Sequence, residues 1–103
     1  MKCKAALVPV MGPYESIVVE EVEVDEPAED EVQIHVMTCT ICHSDIHALT
    51  GDHGEYEGPG MAGHEIAGVV TKVGSKVTYV KPGDRVLCTE VRQGCGQCIP
   101  CMK

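Results

Sequence analysis

Short β-branched runs, each closed off by turn residues, leave this chain few options other than strands. Residues 32–37, VQIHVM, alternate cleanly, with Val32, Ile34 and Val36 on one face and Gln33 and His35 on the other. That period of two marks a half-buried strand. Residues 17–24, IVVEEVEV, alternate from Glu21 onward and set Val22 and Val24 against Glu21 and Glu23. KAALVPV (4–10), EIAGVVTKVG (65–74) and DRVLC (84–88) read as further strands. Turn chemistry at Gly74-Ser75 and at Pro82-Gly83-Asp84 separates the last two, and DEPAEDE (25–31) is a polar connection. The one convincing helical piece is HSDIHAL (43–49), where Asp45, Ile46 and Leu49 suit a turn or two. The pattern predicts a mostly β fold, a small antiparallel barrel or sandwich. Phe and Trp are absent, so the core must be built from Val, Ile, Ala and Leu. A chain of 103 residues holds one domain with one core.

Charge and composition exclude several functions. A formal net charge of -8 argues against nucleic acid and against anionic membrane surfaces, and without Phe or Trp the platforms on which bases stack are scarce. No apolar run approaches the length of a membrane span. The opening MKCKAALVPV has lysines around a short apolar patch, but Pro9 interrupts it and no cleavage pattern follows, so it does not read as a signal peptide. A cytoplasmic protein is expected. Seven cysteines in a reducing compartment point to metal ligands or reactive thiols rather than to disulfides.

The chemistry-bearing residues fall into three stretches. CGQCIPC places Cys95, Cys98 and Cys101 in a C-x2-C-x2-C array, relieved by glycine and proline, that can wrap one ion from a single loop. A structural zinc site closes with four ligands, so a fourth must come from elsewhere. The array also opens like an iron–sulfur run, but no further cysteine follows before Lys103. CTICHSDIH packs Cys39, Cys42, His43 and His47 together. The Cys39–Cys42 spacing also suits a redox dithiol, a motif whose usual βαβ setting is missing from this pattern. MAGHEIAGVV puts His64 and Glu65 at the mouth of a β-branched strand, where neither an imidazole nor a charge belongs naturally: His64 is either a ligand or a satisfied core histidine, and Glu65 either part of that site or the anchor of a turn. Cys3 and Cys88, in strand-like runs, read as small core residues. His43 and His53 read as surface residues, His35 as structural, and Glu26 to Glu31 as a solvated loop.

Taken in order, ICHSDIH, AGHEIAGVVTKVGSKVTYVKPGDRV and CGQCIPC resemble the zinc-dependent alcohol dehydrogenases of the medium-chain dehydrogenase/reductase superfamily. The likeness runs from Lys4 to the end of the chain. It implies an oxidoreductase whose N-terminal catalytic domain has a GroES-like barrel core, a short helix and a cysteine-rich zinc loop. A Rossmann domain binding NAD or NADP normally follows. The resemblance also implies roles for individual residues. Cys42 and His64 match two ligands of the catalytic zinc, for which alcohol dehydrogenase is the standing example of a Cys2His site. Glu65 matches a glutamate that ligates transiently or stands just outside the ligands, and Asp45 a carboxylate that holds the imidazole N–H. Ser44 matches the hydroxyl that receives the alcohol proton. His47 matches the outer end of the proton relay, reached through the cofactor ribose. Cys95, Cys98 and Cys101 match three of the four ligands of the structural zinc.

Those roles are chemically coherent. An open position on zinc admits an alcohol oxygen and lowers its pKa. The released proton must then leave a water-poor pocket through a hydroxyl and an imidazole that titrates near neutrality. A cysteine opening a helical turn is easier to deprotonate, because N–H dipoles converge on it.

The departures set the remaining expectations. In the resemblance, the third catalytic ligand and the fourth structural cysteine lie beyond residue 103, and no Gly-x-Gly-x-x-Gly occurs in the sequence. Residues 1–103 are therefore expected to be an incomplete N-terminal domain without the nucleotide-binding domain, inactive by itself. The full enzyme would interconvert an alcohol or polyol and its carbonyl compound with NAD(P), as a homo-oligomer with no nucleic-acid or membrane partner. The rival reading is a stand-alone metal- or thiol-binding module on the same barrel.

Overall fold

The computed structural model describes residues 1–10, 12, 16–51, 60–89 and 98–102. They form two antiparallel three-stranded sheets and two helical segments. In the first sheet, β1 (Lys2–Val8) lies between β2 (Val18–Glu23) and the two-residue β4 (Gly60–Met61). Lys2 pairs with Glu23 at one end and Leu7 with Val18 at the other. The strand stops before Pro9, whose missing N–H cannot extend the ladder. Val22 and Val24 are partly covered while Glu21 and Glu23 are exposed, as the alternation requires.

The second sheet carries the longer strands. β5 (Glu65–Val73) runs between β3 (Val32–Thr40) and β6 (Arg85–Cys88). Two register shifts interrupt the β3–β5 ladder, between Gln33 and Ile34 and between Val36 and Thr38. Such bulges bend a strand and flip the facing of the residues beyond them. The simple alternation read from VQIHVM accordingly breaks down: Val36 is 50% exposed and Met37 66%. Downstream of β5, the Gly74 N–H donates to the Glu31 carbonyl at 2.8 Å. A Cβ at Gly74 would lie 2.0 Å from the Ala28 carbonyl oxygen, so only glycine lets the two loops approach this closely. The Pro82-Gly83-Asp84 turn forms as its residues suggest, with Asp84 Oδ2 accepting from the Lys81 N–H at 3.0 Å.

Helix α1 (His43–Thr50) connects β3 to the region of β4, and α2 (Ile99–Met102) is a single turn. Among the described residues the core is aliphatic as expected, but small: only Val8, Leu49 and Val70 are buried hydrophobics. Cys3 is exposed and Cys88 only partly covered, so Cys3 is not the core residue its strand context suggested. The described strands remain two separate sheets and close no barrel. No described helix is long and apolar enough to cross a membrane.

Candidate metal centre

The site forms where the end of β3, the start of α1 and the start of β5 meet. Thr40 pairs with Glu65 on the last rung of the β3–β5 ladder, which brings the chain before α1 beside the chain before β5. Cys42 is the N-cap of α1, in extended conformation (φ -101°, ψ 153°). Its N–H donates to Asp45 Oδ2 at 2.9 Å, and its sulfur accepts from the Asp45 backbone N–H. This reciprocal capping satisfies two amides that the helix would otherwise leave bare. It also fixes both side chains at the helix mouth.

From there Asp45 reaches across to the loop before β5. Its Oδ1 lies 3.0 Å from His64 Nδ1, with both side chains mostly covered. Holding Nδ1 turns the other ring nitrogen inward. His64 Nε2 indeed lies 3.1 Å from Ser44 Oγ, and that hydroxyl donates to Cys42 Sγ at 3.3 Å. Ligand atoms of Cys42, His64 and Glu65 all fall within 4.8 Å of one another, the one such cluster among the described residues. Glu65 is exposed and completes the cluster from the solvent side.

His64 stands where it does because of Gly63. Gly63 has φ +100°, a conformation that L side chains rarely adopt, and a Cβ there would sit 2.7 Å from Cys39 Sγ. The Cys39 sulfur thus packs against the backbone that carries the histidine. The C-x2-C spacing marks Cys39 as half of a pair and gives no sign of this contact, for which the glycine of Gly-His-Glu is the available signal.

The electrostatics favour a thiolate. The Cys42 thiol is held below its ordinary pKa, first by the Ser44 hydroxyl, then by the Ser44 backbone N–H and by His64. Partial burial and Glu65 act in the opposite direction. A soft sulfur, an imidazole nitrogen and a carboxylate oxygen are together the donor set of a zinc site that leaves a position open. The residues fit that ion.

The remaining candidates lie apart. His47 is in the last turn of α1, its ring centre 4.6 Å from that of His43 with the planes at 63°. Cys98 is exposed just before α2, and Cys101 lies within α2. Cys95 and His53 lie outside the described residues.

Residues 28–103 match the family described as the alcohol dehydrogenase GroES-like domain. The chain belongs to that family. It is 45% identical over 100 residues to an alcohol dehydrogenase of Schizosaccharomyces pombe, a match covering 96% of this chain and 29% of that protein. It superposes on a cinnamyl alcohol dehydrogenase of Sorghum bicolor with a TM-score of 0.81 at 28% identity, over 99% of this chain and 28% of that one. A Sinorhizobium meliloti protein described as a zinc-binding dehydrogenase and bound to NADP gives a TM-score of 0.71 at 31% identity, over 96% and 28% of the two chains. The alcohol dehydrogenase GroES-like chain therefore spans less than a third of the relatives it matches.

Proposed function

We propose that these residues are the zinc-binding catalytic-domain portion of an NAD(P)-dependent alcohol dehydrogenase, acting on an alcohol or polyol and its aldehyde or ketone. One observation carries the reading: Cys42, His64 and Glu65 converge within 4.8 Å while Asp45 holds the outer nitrogen of His64. The family membership and the names of the relatives support it. When bound, zinc would supply Lewis acidity toward the substrate oxygen and the nicotinamide would supply a hydride acceptor.

The chain's own residues do the rest. Cys42 and His64 would hold the ion, with Glu65 as an alternative oxygen donor at the exposed side. Asp45 keeps His64 Nδ1 occupied, which leaves Nε2 as the nitrogen that would face the ion. Ser44 Oγ, 3.3 Å from Cys42 Sγ and 3.1 Å from His64 Nε2, stands beside both ligand atoms and can take a proton from a substrate hydroxyl docked there. His47 is three residues further along α1, hence on the same side of the helix as Ser44. It is the group that passes the proton outward. Cys95, Cys98 and Cys101 are proposed as ligands of a second, structural zinc completed by a residue beyond 103. The protein is placed in the cytoplasm, where the cysteines stay reduced, as part of a homo-oligomer without nucleic-acid or membrane partners.

A graft tests this reading. Residues 1–103 replace the matching segment of the Schizosaccharomyces pombe alcohol dehydrogenase, and alcohol-dependent NAD reduction and zinc content are measured. The graft should be active, and Cys42→Ser should abolish both turnover and one zinc per chain. Equal zinc content with and without Cys42 contradicts the assignment even if the graft is inactive. A polypeptide limited to residues 1–103 is expected to turn over no alcohol.

A further inference from the structure

Two pieces of the metal centre, α1 and the loop carrying His64, are tied to one stretch of chain that supplies no ligand. His64 follows Ala62, whose N–H donates to the Ala6 carbonyl of β1 at 3.2 Å. The rungs Leu7–Met61 and Val8–Gly60 continue that tie along β4. On the other side, the Gly12 N–H donates to the Leu49 carbonyl at 2.8 Å. That carbonyl lies in the last turn of α1, where the helix has no donor left for it. Val8 and Leu49, one at each tie, are two of the three buried hydrophobics among the described residues.

The consequence is geometric. Cys42 caps the opposite end of the same helix. The Thr40–Glu65 rung fixes where the chain enters α1, but by itself it leaves the helix direction open. Eight residues make a rod of about 12 Å, so a hydrogen bond near its far end sets that direction. Asp45, in the first turn, then meets His64 Nδ1 at 3.0 Å. The His64 loop hangs from the same strand, so both sides of that contact share one reference.

We propose that β1 and the turn after it are the positioning element of the metal centre, with Gly12 as the positioning residue on the α1 side. The hydrogen bonds stand on the structure; the ion they serve rests on the function proposed above. Gly12 has φ +115°, and a Cβ there would meet nothing within 4 Å, so Gly12→Ala strains the backbone without a clash. Gly83 is a matched control, with φ +94° and equally open surroundings. Its N–H donates to the Val70 carbonyl, five residues along β5 from Glu65.

The test compares the 103-residue chain with Gly12→Ala and Gly83→Ala. Cobalt(II) affinity at the site that Cys42→Ser abolishes, the melting temperature, and the ¹⁵N shift of His64 Nδ1 without metal are measured. Gly12→Ala should weaken cobalt binding about ten-fold, as when a ligand loses the group that orients it. It should also move His64 Nδ1 toward an unpaired imidazole. Gly83→Ala should lower the melting temperature and leave the other two readouts unchanged. The parent chain gives a second measurement, which stands even if Gly12→Ala does not fold. Coupling is reciprocal, so zinc should slow amide exchange more at Gly12 and Ala62 than at Gly83. Unchanged cobalt affinity in Gly12→Ala, or an equal loss in both variants, overturns the proposal and leaves Cys42 and His64 standing as ligands. Exchange that slows no more at Gly12 and Ala62 than at Gly83 overturns it too. If no cobalt binding depends on Cys42, the proposed function fails instead. A His64 Nδ1 shift confined to Gly12→Ala then still supports the tie, and no such shift overturns it.

Discussion

Asp45 Oδ1 lies 3.0 Å from His64 Nδ1, so a residue in the first turn of α1 decides which nitrogen of a loop histidine faces Cys42. The same carboxylate caps that helix through the Cys42 N–H at 2.9 Å. Helix capping and ligand orientation thus share one side chain.

Two substitutions separate those duties. Asp45→Ala removes both, and should lower zinc affinity 10- to 100-fold and cost about 1 kcal/mol in the metal-free chain for the lost backbone hydrogen bond. Asp45→Asn can still accept from the Cys42 N–H, so it should lose affinity while keeping most of the stability. Competition with a chromophoric chelator and thermal unfolding measure the two effects. Unchanged affinity in both variants would remove Asp45 from the site.

Ser44 governs the Cys42 thiol. Because the Ser44 hydroxyl is the largest cause of its depressed pKa, Ser44→Ala should raise that pKa toward its ordinary value. Alkylation of Cys42 in the metal-free chain, followed by peptide mass spectrometry, should shift its pH midpoint upward. The sign for stability follows. A thiol whose pKa is lower folded than unfolded contributes fully above the unfolded value, and that contribution is lost as pH falls through the folded value. Ser44→Ala should flatten this dependence in equilibrium unfolding, and an identical pH profile would contradict it.

Gly63 combines two constraints, a positive φ and contact with Cys39 Sγ. Gly63→Ala should destabilise the chain by about 1–3 kcal/mol and displace His64. Adding Cys39→Ala should recover the steric part but not the backbone part, giving a non-additive cycle in thermal melts. Strict additivity would mean that the sulfur does not buttress the loop.

Much of this arrangement was legible in the residues. Alternation and turn chemistry placed β2, β3, β5, β6 and α1 within a residue or a few of their observed ends, because each signal is local. The bulges that expose Val36 and Met37 were not legible, since register belongs to a pair of strands and not to either sequence. Cys3 was misjudged for a related reason: strand periodicity says which residues share a face, not whether anything covers that face. Cys42, His64 and Glu65 could be named from their motifs, but their convergence depends on Thr40 pairing with Glu65, a long-range contact. The Cys39–Gly63 contact has the same origin and left no trace in spacing.

Cobalt(II) substitution addresses the metal assignment most directly. The cobalt-loaded chain should show thiolate-to-cobalt charge transfer together with ligand-field bands of a low-coordinate site. Cys42→Ser should remove the sulfur contribution of that site and His64→Ala should shift its ligand-field bands, each with the Cys95–Cys101 signal unchanged. Spectra indistinguishable from the parent in both variants would contradict the assignment of Cys42 and His64 as the ion's ligands.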